Sequence, residues 1–451
     1  MKTHTVNGFS ETRRQTVHMA MASFALLLPY LAWWQAALCA VAAFLFNLLL
    51  LPRIGGSSLY RPVDSARGYP LGILFYPLSV LLLVLAFPTR PDVVGAAWGI
   101  MAFGDGAATI VGRRVGGRRI PWNDEKTIAG TIGFVVAGAV AGILLAAWSR
   151  SAVRPAPPWL FTAGAPLVAA VAAALVETIR VRLDDNISVP IIAGLVLGGL
   201  SLIDAASVAS TLSWLPRSFA VALAVNLPAA WLGWKARTVS TAGAVTGAAV
   251  GVVVLTCAGI PGWVLLFASY FVASASSRLG LKRKAVLGIA EERGGRRGPG
   301  NTIANTGLAA CAAILAAFSP YREAALLAFV AALAAGGRDT VASEIGKAWG
   351  RRTLLFPSLR PVRPGTSGAI SLEGTAAGLV AALALSAIGL ALGLVTGNGL
   401  WYATAGATVG AFVESGLGAT LETAGILDND MLNFINTSVA AAAALAFAGL
   451  A

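Results

Sequence analysis

The chain alternates between long apolar runs and short polar stretches from end to end, and the runs, not the polar stretches, set its period. Runs of roughly 17 or more residues recur along the whole length, each long enough to cross the hydrocarbon of a bilayer as one helix. At about 20 residues per crossing, about fifteen spans are expected. Their centres fall near residues 25, 43, 79, 101, 138, 168, 196, 224, 248, 270, 309, 334, 384, 411 and 440. The fold class expected is an all-α polytopic integral membrane protein. The basic and apolar character of residues 1–31 resembles a signal peptide, but a second apolar run follows at once with no convincing cleavage site, so a retained first span is expected.

Composition supports this and excludes a soluble domain. Hydrophobic residues make up 57% of the 451 and charged residues only 12%, where a soluble domain carries about 25% charged. The 51 glycines suit close helix–helix approach in lipid, although a GC-rich genome would enrich them too. The cysteines Cys39, Cys257 and Cys311 lie singly in apolar segments, with neither metal spacing nor a disulfide pattern. The two histidines, His4 and His18, are both near the N-terminus. Histidine base catalysis and histidine-rich metal sites are therefore not expected.

Charge then orients the spans. With the N-terminus inside, only Arg90, Arg150, Arg154, Arg217 and Arg322 of the 33 Lys and Arg fall outside. That bias predicts a cytoplasmic N-terminus, an external C-terminus and, in a bacterial cell, the cytoplasmic membrane with its basic loops on the cytoplasmic side. The formal charge of +13 then reads as a topology signal with attraction to anionic lipid, or as a cytoplasmic face that receives a polyanion; a nucleic-acid partner is not expected.

One polar pattern occurs twice. Asp105, Thr109, Gly112 and Arg113 stand at i, i+4, i+7 and i+8, which places an acid, a hydroxyl, a gap and a cation on one helix face. Asp339, Ser343, Gly346 and Lys347 repeat those intervals, with Ala108/Ala342, Gly116/Gly350 and Arg118/Arg352 also shared. Each copy is followed by a basic loop, a Gly-Thr element (KTIAGTIGF at 126–134, ISLEGTAAG at 370–378) and a later acid-plus-Asn element. The order implies a duplicated architecture. It divides into a cytoplasmic tail at 1–16, a membrane domain of about seven spans at 17–205, a linker at 206–215 and a domain of about eight spans at 216–451.

An intramembrane carboxylate costs a few kcal/mol and marks a functional position by default. Asp105, Glu177, Asp339, Glu344 and Glu414 are the candidates, each weighed against a buried structural ion pair. Asp204 and Glu422, which lack a repeated context, read as structural. Basic loops beside acids are what a nucleoside triphosphate needs: cations neutralise phosphate oxygens, and carboxylates hold Mg²⁺ through one or two bonds. KTIAGT, with Lys126, Gly130 and Thr131, and SLEGT, with Ser371, Gly374 and Thr375, could present backbone N–H groups to phosphates at a helix start. The chain has neither the GxxxxGK[ST] loop nor the protein-kinase motif set, so any phosphoryl transfer uses another architecture.

The first half resembles the integral-membrane polyprenol kinases, which include dolichol kinase and plant phytol kinase. The residues that carry the resemblance are RGYPLGILFYPLSV at 67–80, FGDGAATIVGRRVG at 103–116, KTIAGTIGF at 126–134 and VETIRVRLDDNISVPI at 176–191. The second half is similar to the family that contains plant phytyl-phosphate kinase, through RKAVLGIAEERGGRRGPGNTIANTG at 283–307, RDTVASEIGK at 338–347, RPGTSGAISLEGTAAG at 363–378 and VESGLGATLE with LDNDMLNFINT at 413–437. Glu414 stands where that pattern has Asp, and Pro299-Gly300 interrupts a more polar stretch.

The resemblance implies two successive kinases in one chain. The first would phosphorylate an isoprenoid alcohol, typically with CTP and Mg²⁺; the second would convert the isoprenyl monophosphate to the diphosphate. It implies that Asp105 binds Mg²⁺–nucleotide, Arg113 and Lys126 the phosphates, and Glu177 or Asp185 a second metal contact or the alcohol proton, with Asn186 as polar lining. In the second half Asp339 and Glu344 take the metal role with Glu414 as a further acid. Lys347, Arg296 and Arg297 take the phosphates, and Asn305, Asn429, Asn433 and Asn436 line the site. Two other functions compete: a membrane cytidylyltransferase making a CDP-lipid, distinguished by its product, and a transporter. Against the latter, the polar residues gather at the cytoplasmic ends of the spans and not midway.

Overall fold

The computed structural model describes residues 11–54, 70–179, 183–286, 288 and 298–450. Helices dominate, as the apolar runs require. Ten helices among the described residues are long and apolar enough to cross a membrane. Two shorter apolar helices, Leu71–Ala86 and Asp185–Ser201, accompany them. The helix Thr241–Arg278 covers two of the expected centres. At about 57 Å it is nearly twice the hydrocarbon thickness, and its backbone breaks at Gly259, whose φ of 69° only glycine adopts readily, with Pro261 close behind. Among the described residues strand is confined to two small sheets: Arg119–Ile120 with Asn123–Thr127, and Thr353–Leu355 between Arg360–Pro361 and Ala369–Ser371.

The chain forms two compact units, Met1–Ser201 and Leu202–Ala451. Residues 206–215, expected as a linker, instead lie inside one continuous helix, Ala205–Lys235, whose start is capped by the Asp204 carboxylate accepting from the Ser207 N–H at 2.6 Å. The small polar residues of that stretch are no barrier to a helix once a cap supplies the first acceptor. Residues 11–16, expected in a tail, belong to the helix Glu11–Met21.

Each unit has its own core, and small residues set the helix spacing in both. In the first, alanines from Trp159–Glu177, Pro91–Val115 and Ala22–Tyr30 pack with Ile100, Met101 and Phe134. In the second, the helix Arg322–Trp349 is central, with 325–335 almost wholly buried against Pro299–Phe318, Leu372–Ala391 and Asn429–Phe447.

The sequence repeat is also a repeat of geometry. In the first unit a short strand leads into Thr127, whose hydroxyl accepts from the Gly130 N–H at 3.1 Å and starts the helix Ile128–Ser149. A Cβ on Gly130 would meet the Ala108 carbonyl oxygen at 2.9 Å, the Thr127 hydroxyl at 3.1 Å and Gly112 Cα at 3.4 Å. In the second unit Ser371 accepts from Gly374 at 3.1 Å and starts Leu372–Ala391. A Cβ on Gly374 would meet the Ala342 carbonyl oxygen at 2.6 Å, the Ser371 hydroxyl at 3.0 Å and Gly346 Cα at 3.1 Å. The three contacts correspond one to one. Gly374→Ala should therefore destabilise the second unit by about 1–3 kcal/mol, because the obstacle is backbone that cannot rotate away. Thermal unfolding in detergent checks this against Gly247→Ala, where a Cβ meets nothing within 4 Å and helix propensity favours alanine.

Candidate functional site

In the first unit the rod Pro91–Val115 changes its hydrogen-bonding pattern just before its acid. A π-helical turn, Ile100–Gly104, precedes Asp105 and widens the helix there. Glu177 ends the helix Trp159–Glu177 and Asp185 begins Asp185–Ser201. These three termini converge, and one carboxylate oxygen from each of Asp105, Glu177 and Asp185 lies within 4.8 Å of the others. Asp105 and Glu177 are buried. Lys126, on the strand Asn123–Thr127, donates to Glu177 Oε1 at 2.6 Å and to Asp185 Oδ2 at 3.3 Å. Burial alone would push the Lys126 ammonium down, but the carboxylates of Asp185 and Glu177 outweigh it and hold it above the usual lysine range. Asn123 and Trp122 fasten this strand to Thr178, donating to its carbonyl and hydroxyl at 3.1 and 3.2 Å.

The remaining first-half candidates divide. Asn186 donates to the Gly72 carbonyl at 3.2 Å and so ties the start of its helix to Leu71–Ala86. The Arg113 side chain is largely exposed and lies 4.0 Å from Glu11. The Gly130 N–H, expected to face phosphate, is taken by the Thr127 cap, and the Thr131 hydroxyl bonds its own helix at the Thr127 carbonyl. A glycine N–H at that position cannot serve both the cap and a ligand.

His18 was legible only as an isolated residue near the N-terminus. The helix Glu11–Met21 crosses the acid helix where Gly106 leaves room for Met19, and Gln15 donates to Thr109 at 3.2 Å. That contact puts His18 Nε2 3.9 Å from Asp105 Oδ2, with no hydrogen bond of its own. The His18 ring meets the Tyr76 ring edge-on at 4.8 Å, and Trp98 donates to the Tyr76 hydroxyl at 2.8 Å. No local pattern links residues 18, 76 and 98; helix crossing does. His18, Tyr76, Trp98 and Asn186 also line an apolar cavity of about 440 Å³. Its outer wall includes Phe24, Leu27 and Phe46, all exposed on the helix bundle's flank.

In the second unit a polar cavity of about 260 Å³ opens beside Arg322–Trp349. Asp339, Lys347, Ser371, Gly374, Thr375, Glu414 and Asn429, all candidates from the sequence, line it. Asp339 and Glu414 meet side chain to side chain. Gly374 again spends its N–H on a cap. Glu344 departs from its expected metal role: it is buried, bonded to the buried Lys284, and 3.4 Å from Lys347. On a helix, residues five apart point about 140° from each other, so Glu344 and Asp339 cannot share a face. Asn305, Asn433 and Asn436 are not on this cavity either. Asn305 donates to the Asn301 carbonyl at 2.9 Å, and Asn433 and Asn436 are buried in Asn429–Phe447. Arg296 and Arg297 lie outside the described residues. Two cavity residues stand in the quoted motifs without having been given a functional role: Arg338, and Glu422, which accepts from Ser367 and was expected to be structural.

Residues 224–441, all in the second unit, match the integral membrane protein family DUF92. An uncharacterized membrane protein of Synechocystis sp. is 41% identical over 198 residues, which are 43% of this chain and 77% of its own length. The chain belongs to the DUF92 family. Protein VTE6 of Arabidopsis chloroplasts is 34% identical to this DUF92 chain over 194 residues, 42% of this chain and 58% of that protein. The probable phytol kinase 2 of soybean chloroplasts is 35% identical over 154 residues, 34% of this chain and 51% of that one. The DUF92 chain thus spans little more than half of these two plant relatives. No solved structure matches it significantly.

Proposed function

We propose that the chain is a membrane isoprenoid kinase with two sites, one in each unit, in which Met1–Ser201 phosphorylates an isoprenoid alcohol and Leu202–Ala451 converts the monophosphate to the diphosphate. The observation that carries this is the junction of an apolar cavity with an acid cluster. His18 and Asn186 line the 440 Å³ cavity; His18 lies 3.9 Å from Asp105, and Asn186 follows Asp185 in the chain. A hydrocarbon tail in the cavity places its terminal hydroxyl at the carboxylates, and pockets of a few hundred Å³ are the usual size for such a ligand. The resemblance to a relative named a probable phytol kinase supports the same chemistry.

The donor is CTP and the metal Mg²⁺ in this reading, with the charged loops on the cytoplasmic side. Oxygens about 2.1 Å from one Mg²⁺ stand at most about 4.2 Å apart, so the three carboxylate oxygens, within 4.8 Å of one another, would draw in slightly to hold one. Asp105, Asp185 and Glu177 would hold the metal, which would neutralise charge on the transferring phosphoryl group. Lys126, released from Glu177 and Asp185, would meet a phosphate oxygen. Asp339 and Glu414 supply the corresponding pair in the second unit, with Lys347 at the phosphates. Phosphoryl transfer asks a protein for positioning and charge neutralisation, and these side chains provide both.

The test is the purified chain with Mg²⁺, labelled CTP or ATP and a panel of prenols, with lipid products identified by mass. Monophosphate followed by diphosphate is expected. A CDP-lipid with release of diphosphate would establish a cytidylyltransferase instead, and no lipid product from any prenol would remove the kinase reading.

A further inference from the structure

The two repeats exchange one large and one small residue at the same contact. In the first unit Gly104 precedes Asp105, and a Cβ there would meet the Phe134 ring at 2.8 Å. Phe134, four residues after the capped Gly130, is fully buried, so the ring fills the space before the acid. In the second unit Arg338 precedes Asp339, and Gly378 stands four residues after the capped Gly374. A Cβ on Gly378 would lie 3.1 Å from the Arg338 carbonyl oxygen and 3.2 Å from its Cγ. The two changes are coupled sterically: a ring at 378 would collide with the Arg338 stem, and glycine there makes the room that the arginine occupies.

Among the described residues that arginine forms no close ion pair. It is 4% exposed, yet it lines the polar cavity beside Asp339 and Glu414. Its Nε has no hydrogen-bond partner, and its guanidinium sits 6.0 Å over the ring of Phe412, another lining residue. A buried N–H without an acceptor is costly unless something arrives to accept from it. Among the described residues the other cation on the cavity, Lys347, already faces Glu344. At the first acid cluster the corresponding residue is glycine and offers no cation.

We propose that Arg338 is the residue that makes the second cavity select an acceptor already carrying a phosphate. A guanidinium fork pairs with two phosphate oxygens at once. It also offsets the repulsion that Asp339 and Glu414 impose on any anionic acceptor. The inference rests on the two-site kinase reading for its substrate, but the binding it describes can be measured without turnover.

The experiment uses the full chain in detergent and phytyl monophosphate as probe, first by equilibrium binding without nucleotide. Arg338→Gln should weaken binding at least tenfold, and Arg338→Lys, which keeps the charge and loses the fork, should recover part of it. In turnover, the KM for the monophosphate should rise in Arg338→Gln while the KM for the nucleotide stays. Parental affinity in an Arg338→Gln protein that unfolds at the parental temperature would overturn the proposal. So would a rise confined to the nucleotide KM, which would place the arginine on the donor. If Arg338→Gln does not fold, the Lys variant decides: it should bind several-fold more weakly than the parent, and parental binding would refute the fork. A parent that binds the monophosphate in an Arg338-dependent way but makes no diphosphate would sink the two-step reading alone.

Discussion

Asp105→Asn is expected to abolish monophosphate formation from a free isoprenoid alcohol while supplied monophosphate is still converted to diphosphate. Asp105 is buried at the end of a π-helical turn, and one of its oxygens sits within 4.8 Å of oxygens of Glu177 and Asp185. Asparagine keeps the volume, so packing survives. It removes the charge, and a neutral amide is a much weaker ligand for a hard cation. Loss of one preorganised electrostatic group typically costs 10²–10³-fold in rate, about 2.7–4 kcal/mol, and a metal carboxylate belongs at the upper end of that range. The second acid pair, Asp339 and Glu414, belongs to the other compact unit. The measurement is the two rates taken separately, alcohol to monophosphate and monophosphate to diphosphate. If both fell together in a protein with parental unfolding temperature, the units would not hold independent sites.

The second large effect should fall on stability. Glu344 and Lys284 are each almost wholly buried and bonded to one another. Glu344→Gln leaves the Lys284 ammonium inside the protein without a counter-charge, and breaking a buried pair from one side costs about 3–5 kcal/mol. Lys347, 3.4 Å from the same carboxylate, loses its partner as well. Thermal unfolding in detergent should show a marked drop, while diphosphate formation per folded molecule at low temperature is retained. The double variant Lys284→Met with Glu344→Leu should be less destabilised than Glu344→Gln, since the orphaned charge is then removed. An unchanged unfolding temperature with lost diphosphate formation would return Glu344 to the catalytic role that its place in the RDTVASEIGK motif suggests.

The contrast between these two acids shows what could be read in one dimension. Asp105 and Asp339 were found because their helix faces repeat at fixed intervals, and intervals survive in sequence. The Gly-Thr elements that hold Gly130 and Gly374 were visible for the same reason, although the caps Thr127 and Ser371, which take up those N–H groups, were not. Glu344 was misplaced because proximity in the motif outweighed helical angle: five residues along a helix is the wrong side. Glu422 reaches the cavity because a π-helical turn, Gly418–Glu422, follows the helix Gly397–Leu417, and no pattern in the chain announced that turn.

The sequence by itself determined the helical membrane architecture, the duplicated acid helix and the positions of the candidate carboxylates. These follow from local rules: twenty apolar residues must satisfy their own backbone in lipid, and a helix face recurs every three or four residues. The tertiary structure alone decided which charges meet. His18 with Asp105, Lys126 with Glu177 and Lys284 with Glu344 are joined by crossings of elements 51 to 87 residues apart in the chain. In an interior that neutralises charge only by contact, those crossings determine whether a buried carboxylate is a ligand or half of a structural ion pair.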